Sequence, residues 1–252
     1  MVLLRSLFVT LVMIPGVAVI AAGTVISALR GRSPRELHRY YLAASRLGHW
    51  AAGTRVIVRG LENIEPGQAY VIAANHESNW DPFTILAGLP ALVIRFVVKK
   101  PLMRIPIFGQ ALALSGNVTV DRSRSGADVR RIEDTMSARA PEVSLLFFAE
   151  GTRARDGAYR AFKKGAFATA LRYQLPILPV AVAGTRAVWP PNSPLFRSGP
   201  VVVQVGAPIP VEGLTHSARN TLLEQAHEAV GKLRAEARAQ VRALGSDPTG
   251  VD

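Results

Sequence analysis

The first long feature of the hydrophobic pattern is a stretch with no charge at all. Residues 6–29 lie between Arg5 and the basic cluster Arg30, Arg32, Arg35 and Arg39. As a helix this stretch reaches about 36 Å against a hydrocarbon core of roughly 30 Å, enough to span a membrane with tilt. Pro15, Gly16 and Gly23 interrupt it, so a kinked helix or a helical hairpin dipping into one leaflet fits as well. A signal peptide cleaved after Val19-Ile20-Ala21 ranks last, because the run exceeds a typical signal. The arginine excess on its C-terminal side predicts that the remainder lies on the cytoplasmic face. The chain thus divides into a membrane anchor over 1–32 and one folded domain over 33–252, an ordinary size for a single core.

Beyond the anchor the periodicity changes. Ser33-Pro34-Arg35-Glu36 has the form of a capping box with proline at the first helical position, opening a helix to about Ala52. Apolar strand patterns follow near 55–59, 69–74, 94–98, 117–120, 144–148, 177–183 and 201–205. Helical patterns fall near 82–88, 101–113, 126–139 and 163–175. This alternation predicts an α/β fold, a mixed, largely parallel sheet flanked by helices. From about 215 to 244, Leu222, Leu223, Ala226, Val230, Leu233 and Val241 recur at helical spacing, predicting a C-terminal amphipathic helix that covers the core. The residues from Gly245 to Asp252 are expected to fray.

Candidate chemistry sits at two strand ends. The strand near 69–74 stops at Asn75-His76-Glu77-Ser78-Asn79-Trp80-Asp81, and Asp81-Pro82 has the form of a helix start with Asp81 as N-cap. A tight turn there brings the Asp81 carboxylate back to one nitrogen of His76 and leaves the other as an acceptor, a general-base pair for an attacking alcohol. Trp80 occupies the position where a zinc-protease helix needs its second histidine, so no metal site is predicted. No Gly-x-Ser-x-Gly elbow and no cysteine are present, so the nucleophile is expected to be the substrate's own hydroxyl.

The second turn is Phe147-Phe148-Ala149-Glu150-Gly151-Thr152-Arg153. Gly151 lets backbone approach a ligand, Glu150 and Thr152 offer hydrogen bonds to hydroxyls, and Arg153 carries a planar fork suited to phosphate. Between the two turns, Gly116-Asn117-Val118-Thr119-Val120-Asp121-Arg122 is a strand ending on a cation. Asn117 also begins a glycosylation sequon, but a place in a buried strand argues against modification.

Taken in order, these blocks resemble those of the 1-acyl-sn-glycerol-3-phosphate acyltransferase family. The family's Asn-His-x-x-x-x-Asp block is matched by Asn75 to Asp81, its Gly-x-x-x-x-x-Arg block by Gly116 to Arg122, and its Phe-Pro-Glu-Gly-Thr-Arg-Ser block by Phe148 to Arg153. A later proline-bounded apolar strand is matched by Leu175-Pro176-Ile177-Leu178-Pro179-Val180. Ala149 stands where the family has Pro, and Ala154 where it often has Ser; both bear on the shape of the turn, and neither removes a polar group that the chemistry requires. The resemblance covers about 55–210. It implies a membrane-bound acyltransferase, with 33–252 as the acyltransferase domain, that moves an acyl chain from acyl-CoA or acyl-carrier protein to the hydroxyl of a lysophospholipid. Lysophosphatidic acid is the leading acceptor and phosphatidic acid the product. His76 and Asp81 are then catalytic. Asn75, Arg122, Glu150, Gly151, Thr152 and Arg153 fall on the substrate side, and the last five hold the glycerol phosphate. Lys163 and Lys164 add positive charge near that phosphate, or simply open an exposed helix. No metal or redox cofactor is implied.

A net charge of +12 calls for an acidic partner: anionic lipid, CoA phosphates, an acidic carrier protein or nucleic acid. Nucleic acid is not expected, since no helix-turn-helix, zinc module or aromatic RNA-binding strand is present and the uncharged N-terminus would be unexplained. Two alternatives remain beside the leading reading: a different lysolipid acceptor, and a non-catalytic membrane-anchored lipid-binding protein of the same fold.

Overall fold

The computed structural model describes residues 1–120, 131–132, 134–136, 139–153, 157–248 and 250. Two helices lead, α1 over Val2–Leu29 and α2 over Pro34–Ala52. The start of α2 is a capping box: the Glu36 amide donates to the Ser33 hydroxyl, and the Ser33 amide donates to the Glu36 carboxylate at 2.9 Å. The two helices run antiparallel, with Ser27 bonded to Tyr40 at 2.8 Å and Arg5 donating to the Ala52 carbonyl at 3.4 Å. Pro15 and both glycines lie inside α1 without ending it. A Cβ on Gly16 would fall 2.4 Å from Leu47, and one on Gly23 would fall 2.8 Å from Tyr40, so these glycines mark the closest approach of α1 to α2. The opposite side of α1 leaves Leu3, Leu7, Leu11, Ile14, Val19 and Leu29 exposed.

Seven strands form the sheet: β1 Thr54–Arg59, β2 Val71–Ala74, β3 Val93–Lys99, β4 Val118–Val120, β5 Val143–Phe148, β6 Ile177–Ala183 and β7 Gly199–Val205. Their order is β1-β7-β6-β2-β5-β3-β4, and only the β6–β7 pair is antiparallel among the described strands. This is the mixed, largely parallel sheet that the alternating pattern predicts.

β2 and β6 are buried on both faces because helices cover each side. Tyr70, Ile72 and Ala74 point to the layer holding α2 and α3 (Asp81–Gly88), where they meet Leu42, Ile85 and Leu86. Val71 and Ala73 point to the layer holding α5 (Gly165–Tyr173) and α7 (Arg219–Ala243), where they meet Phe167, Ala170, Ala226 and Val230. A short helix α6, Thr185–Val188, follows β6.

Two boundaries differ from expectation. The helix expected over 101–113 is instead a 3₁₀ turn, Lys100–Arg104, and a separate α4, Phe108–Leu114. Pro106 forces the extended conformation of Ile105 and removes an amide from the ladder, so the helix cannot pass through it. Of the tail after α7, expected to fray, Pro248 is buried and a Cβ built on Gly250 would fall 3.0 Å from the Arg186 carbonyl and from Ala187 Cα, while residues 249, 251 and 252 lie outside the described residues. Of the helix expected over 126–139, residues 131, 132 and 134–136 are helical and Arg139 is not, while 126–130, 133, 137 and 138 lie outside the described residues.

Candidate active site

β6, β2 and β5 are adjacent and parallel, so the turns that leave their C-terminal ends share one edge of the sheet, where open α/β sheets bind ligands. β2 ends at Asn75, whose side chain donates to the Val182 carbonyl at 3.0 Å and accepts from the Val182 amide at 2.8 Å. Both halves of the amide are used and the residue is fully buried. Asn75, expected on the substrate side, is therefore a tie between β2 and β6.

His76 comes next, and its Nδ1 lies 2.6 Å from Asp81 Oδ2. The same oxygen accepts the amides of Glu77 at 2.7 Å and Ser78 at 2.9 Å, while Oδ1 accepts the Thr185 hydroxyl at 2.5 Å. Four donors thus converge on one fully buried carboxylate. Asp81 is not the N-cap of α3. It is the first helical residue, with Trp80 at the cap position. The tight 77–80 turn delivers two amides and an imidazole to its carboxylate, which faces back into the loop and leaves the helix end uncapped by any side chain.

The imidazole stacks on Phe148, ring centroids 3.9 Å apart and planes at 15°. Its side chain is 16% exposed. With Nδ1 donating to the carboxylate, Nε2 is the acceptor of the neutral ring, and among the described residues no protein group bonds to it.

The second turn is fastened to the first through Glu150. Its Oε1 accepts the His76 amide at 2.8 Å and its Oε2 accepts the Arg160 amide at 3.0 Å. Burial raises its pKa, and the two amide donors oppose that rise. Glu150, expected to meet a substrate hydroxyl, is instead committed to two backbone amides. Glu150→Gln sets an NH2 group against one of those donors, an unsatisfied buried pair that costs about 1–3 kcal/mol. Denaturant unfolding is expected to show that loss, with a fall in turnover because the His76 backbone is released.

Gly151 turns the chain at φ 75°, its amide donating to the Phe148 carbonyl at 2.8 Å. Any Cβ there would meet Lys163 Cγ at 3.0 Å, so the Lys163 chain lies directly over the turn. Thr152 is exposed and Arg153 half-buried. Lys164 is exposed at the cap position of α5. Arg122 lies outside the described residues.

Two participants escaped the sequence reading. Thr185 carries a signal only in hindsight of the strand order, since nothing in the sequence makes β6 a neighbour of β2. Glu77 carries no role in the sequence pattern beyond its place inside the His76–Asp81 block. It is fully buried and pairs with Arg234 of α7 at 2.8 Å and Arg238 at 3.4 Å.

A family model described as Acyltransferase matches residues 55–183. The 1-acyl-sn-glycerol-3-phosphate acyltransferase of Cocos nucifera is 29% identical over 217 residues, 86% of this chain and 70% of that protein. The 1-acyl-sn-glycerol-3-phosphate acyltransferase alpha of Homo sapiens is 31% identical over 191 residues, 75% of this chain and 67% of that one. The crystal structure of the 1-acyl-sn-glycerophosphate (LPA) acyltransferase PlsC from Thermotoga maritima shares the fold, with a TM-score of 0.74 at 23% identity over 92% of this chain and 95% of that one. The family match runs through both the His76–Asp81 turn and the Glu150–Arg153 turn, and the chain belongs to the acyltransferase family, among the 1-acyl-sn-glycerol-3-phosphate acyltransferases.

Proposed function

We propose that the enzyme moves an acyl chain from a thioester, acyl-CoA or acyl-carrier protein, to the free hydroxyl of 1-acyl-sn-glycerol 3-phosphate, giving phosphatidic acid. The observation that carries this reading is the imidazole held at 2.6 Å by a carboxylate that has three further donors, with the opposite ring nitrogen left to substrate. His76 Nε2 takes the hydroxyl proton as the oxygen attacks the thioester carbonyl, and Asp81 stabilises the imidazolium. The carbon–sulfur bond then breaks, the thiolate leaves, and His76 returns the proton to sulfur. This route needs no metal or redox cofactor. Arg153, Thr152 and Lys163 form the cationic and hydrogen-bonding rim suited to the glycerol phosphate.

The N-terminal hairpin supports a membrane seat. α1 stays against α2 along its length, and α2 exposes Arg35, Arg39 and Arg46. Carrying each arginine to the bilayer centre costs about 2.5–3.5 kcal/mol, whereas laying the apolar face of α1 into one leaflet leaves them in water. The Phe8–Trp50 pair, ring centroids 5.6 Å apart and both exposed, fits the interfacial zone. We place the enzyme in the cytoplasmic leaflet, where thioester donors are made.

The test is transfer by detergent-solubilised enzyme from labelled acyl-CoA and acyl-carrier protein to a panel of lysolipids. Turnover confined to lysophosphatidic acid is the expected result, and turnover only on another lysolipid would overturn the acceptor. In the same assay Arg153→Ala is expected to raise the acceptor KM about tenfold to a hundredfold with kcat nearly unchanged, the loss of a charge-assisted phosphate contact. An unchanged KM would place the phosphate elsewhere.

A further inference from the structure

We propose that Arg234, on the C-terminal helix α7, is a positioning residue of the transfer reaction. Its guanidinium holds the loop that carries the base in register with the loop that carries the acceptor-binding residues. The inference rests on the reaction proposed above for this site. Its Nε donates to Glu77 Oε1 at 2.8 Å, and its NH2 group donates to the Gly157 carbonyl at 2.7 Å. The same guanidinium lies 5.6 Å from the centroid of the Tyr159 ring. Its side chain is 13% exposed, so these bonds form largely out of water.

Glu77 connects this brace to the chemistry. Its side chain binds Arg234, while its backbone amide donates to Asp81 Oδ2, the oxygen that also holds His76. A single residue therefore links the catalytic carboxylate to α7. On the other side, Gly157 and Tyr159 belong to the segment that leaves the Glu150–Arg153 turn. That segment is fastened independently by the Arg160 amide on Glu150 Oε2. Tyr159 also donates to the His227 carbonyl of α7 at 2.7 Å and stacks on the His227 ring at 4.4 Å. Glu150 and Arg234 are thus two separate cross-ties between the same pair of loops, one from the sheet and one from the helix.

A carboxylate that served only to dock α7 need not sit beside the catalytic base. Here the buried carboxyl group stands one residue from His76, its second oxygen has no hydrogen-bond partner among the described residues, and a second arginine, Arg238, reaches the bonded oxygen at 3.4 Å. Such a group is tolerated only while its cations stay in place, so its position reports that of α7. The planar fork matters because its two arms leave in fixed directions, one to each loop. A lysine ammonium supplies the charge without that geometry.

The test compares purified full-length wild type, Arg234→Lys and Arg234→Met in detergent, with the lysolipid that the wild type uses best. Both variants are expected to lose kcat about tenfold to a hundredfold, the scale of a misplacement of about 1 Å, with donor KM little changed. Arg234→Lys is expected to keep most of the thermal stability by preserving the pair with Glu77, without restoring kcat. Wild-type kcat in folded Arg234→Met, or full rescue of kcat by lysine, would overturn the proposal and leave only an ion pair that docks the helix. Amide hydrogen exchange provides a readout free of the reaction. Faster exchange at Glu77 and Ser78 in Arg234→Met is expected, and unchanged exchange there would overturn the brace even if the wild type turned over no lysolipid.

Discussion

His76→Ala is expected to lower kcat by about a hundredfold to ten-thousandfold while lysolipid binding survives, because it removes a general base and little of the binding surface. The imidazole stacks on Phe148 and, among the described residues, its ring bonds only Asp81, so its loss leaves the strand end tied by Asn75 and Glu150. Asp81→Asn separates orientation from charge. With the new amide nitrogen turned toward Thr185, whose hydroxyl can rotate to accept, the oxygen still receives the amides of Glu77 and Ser78 and the His76 ring. The fold and the tautomer then persist, but the imidazolium loses its counter-charge. We expect a fall in kcat approaching that of His76→Ala with acceptor KM nearly constant. Steady-state transfer and equilibrium lysolipid binding on both variants are the measurements. Wild-type turnover in His76→Ala would remove the general-base role outright.

The fold was readable to the extent that it depends on local pattern. All seven strands fall where short apolar runs predict them, because a sheet covered on both faces requires continuous Val, Ile, Leu and Phe. The capping box at Ser33 is likewise a local rule. Reading stops where a residue's role depends on which strands are neighbours. Asn75 and Glu150 look like ligands for substrate in sequence, since nothing local says that Val182 or the amides of His76 and Arg160 will use them up. Thr185 stands 104 residues from Asp81 and Arg234 stands 157 from Glu77, and no periodicity announces either. Pro106 is different, since its effect on the helix over 101–113 is a local rule and was legible. Arg95 is the opposite case: a charge inside the apolar run of β3 is accepted because its guanidinium donates to the carbonyls of Ser115, Ile94 and Pro34, which no pattern foretells.

The other large effect is expected in acid, and it comes from groups remote from the chemistry. His38 is 3% exposed, and among the described residues neither of its ring nitrogens has a hydrogen-bond partner. Burial, with the nearby charges of Arg95 and Arg35, lowers its pKa from 6.5 to about 4. Above pH 6.5 the ring is neutral whether the chain is folded or not. As pH falls below 6.5 the unfolded chain takes up the proton first, while the folded chain resists until about pH 4. Stability is therefore fully present above pH 6.5 and drains away between pH 6.5 and 4, by about 3 kcal/mol for this shift. His49, also buried and lowered to about 4, loses a similar amount over the same window. Glu77 works in the other direction. Burial raises it to about 7 against the pull of Arg234, so the folded chain gains stability as pH falls from about 7 toward 4.5 and offsets roughly one of the two histidines. His38→Leu, close in volume and unable to titrate, is expected to flatten the acid limb by about 3 kcal/mol between pH 6.5 and 4 and to change little at pH 8. Urea unfolding in detergent across pH 4 to 8 measures it. An acid limb in His38→Leu that parallels the wild type would show that the cost of protonation lies with His49 or with the carboxylates.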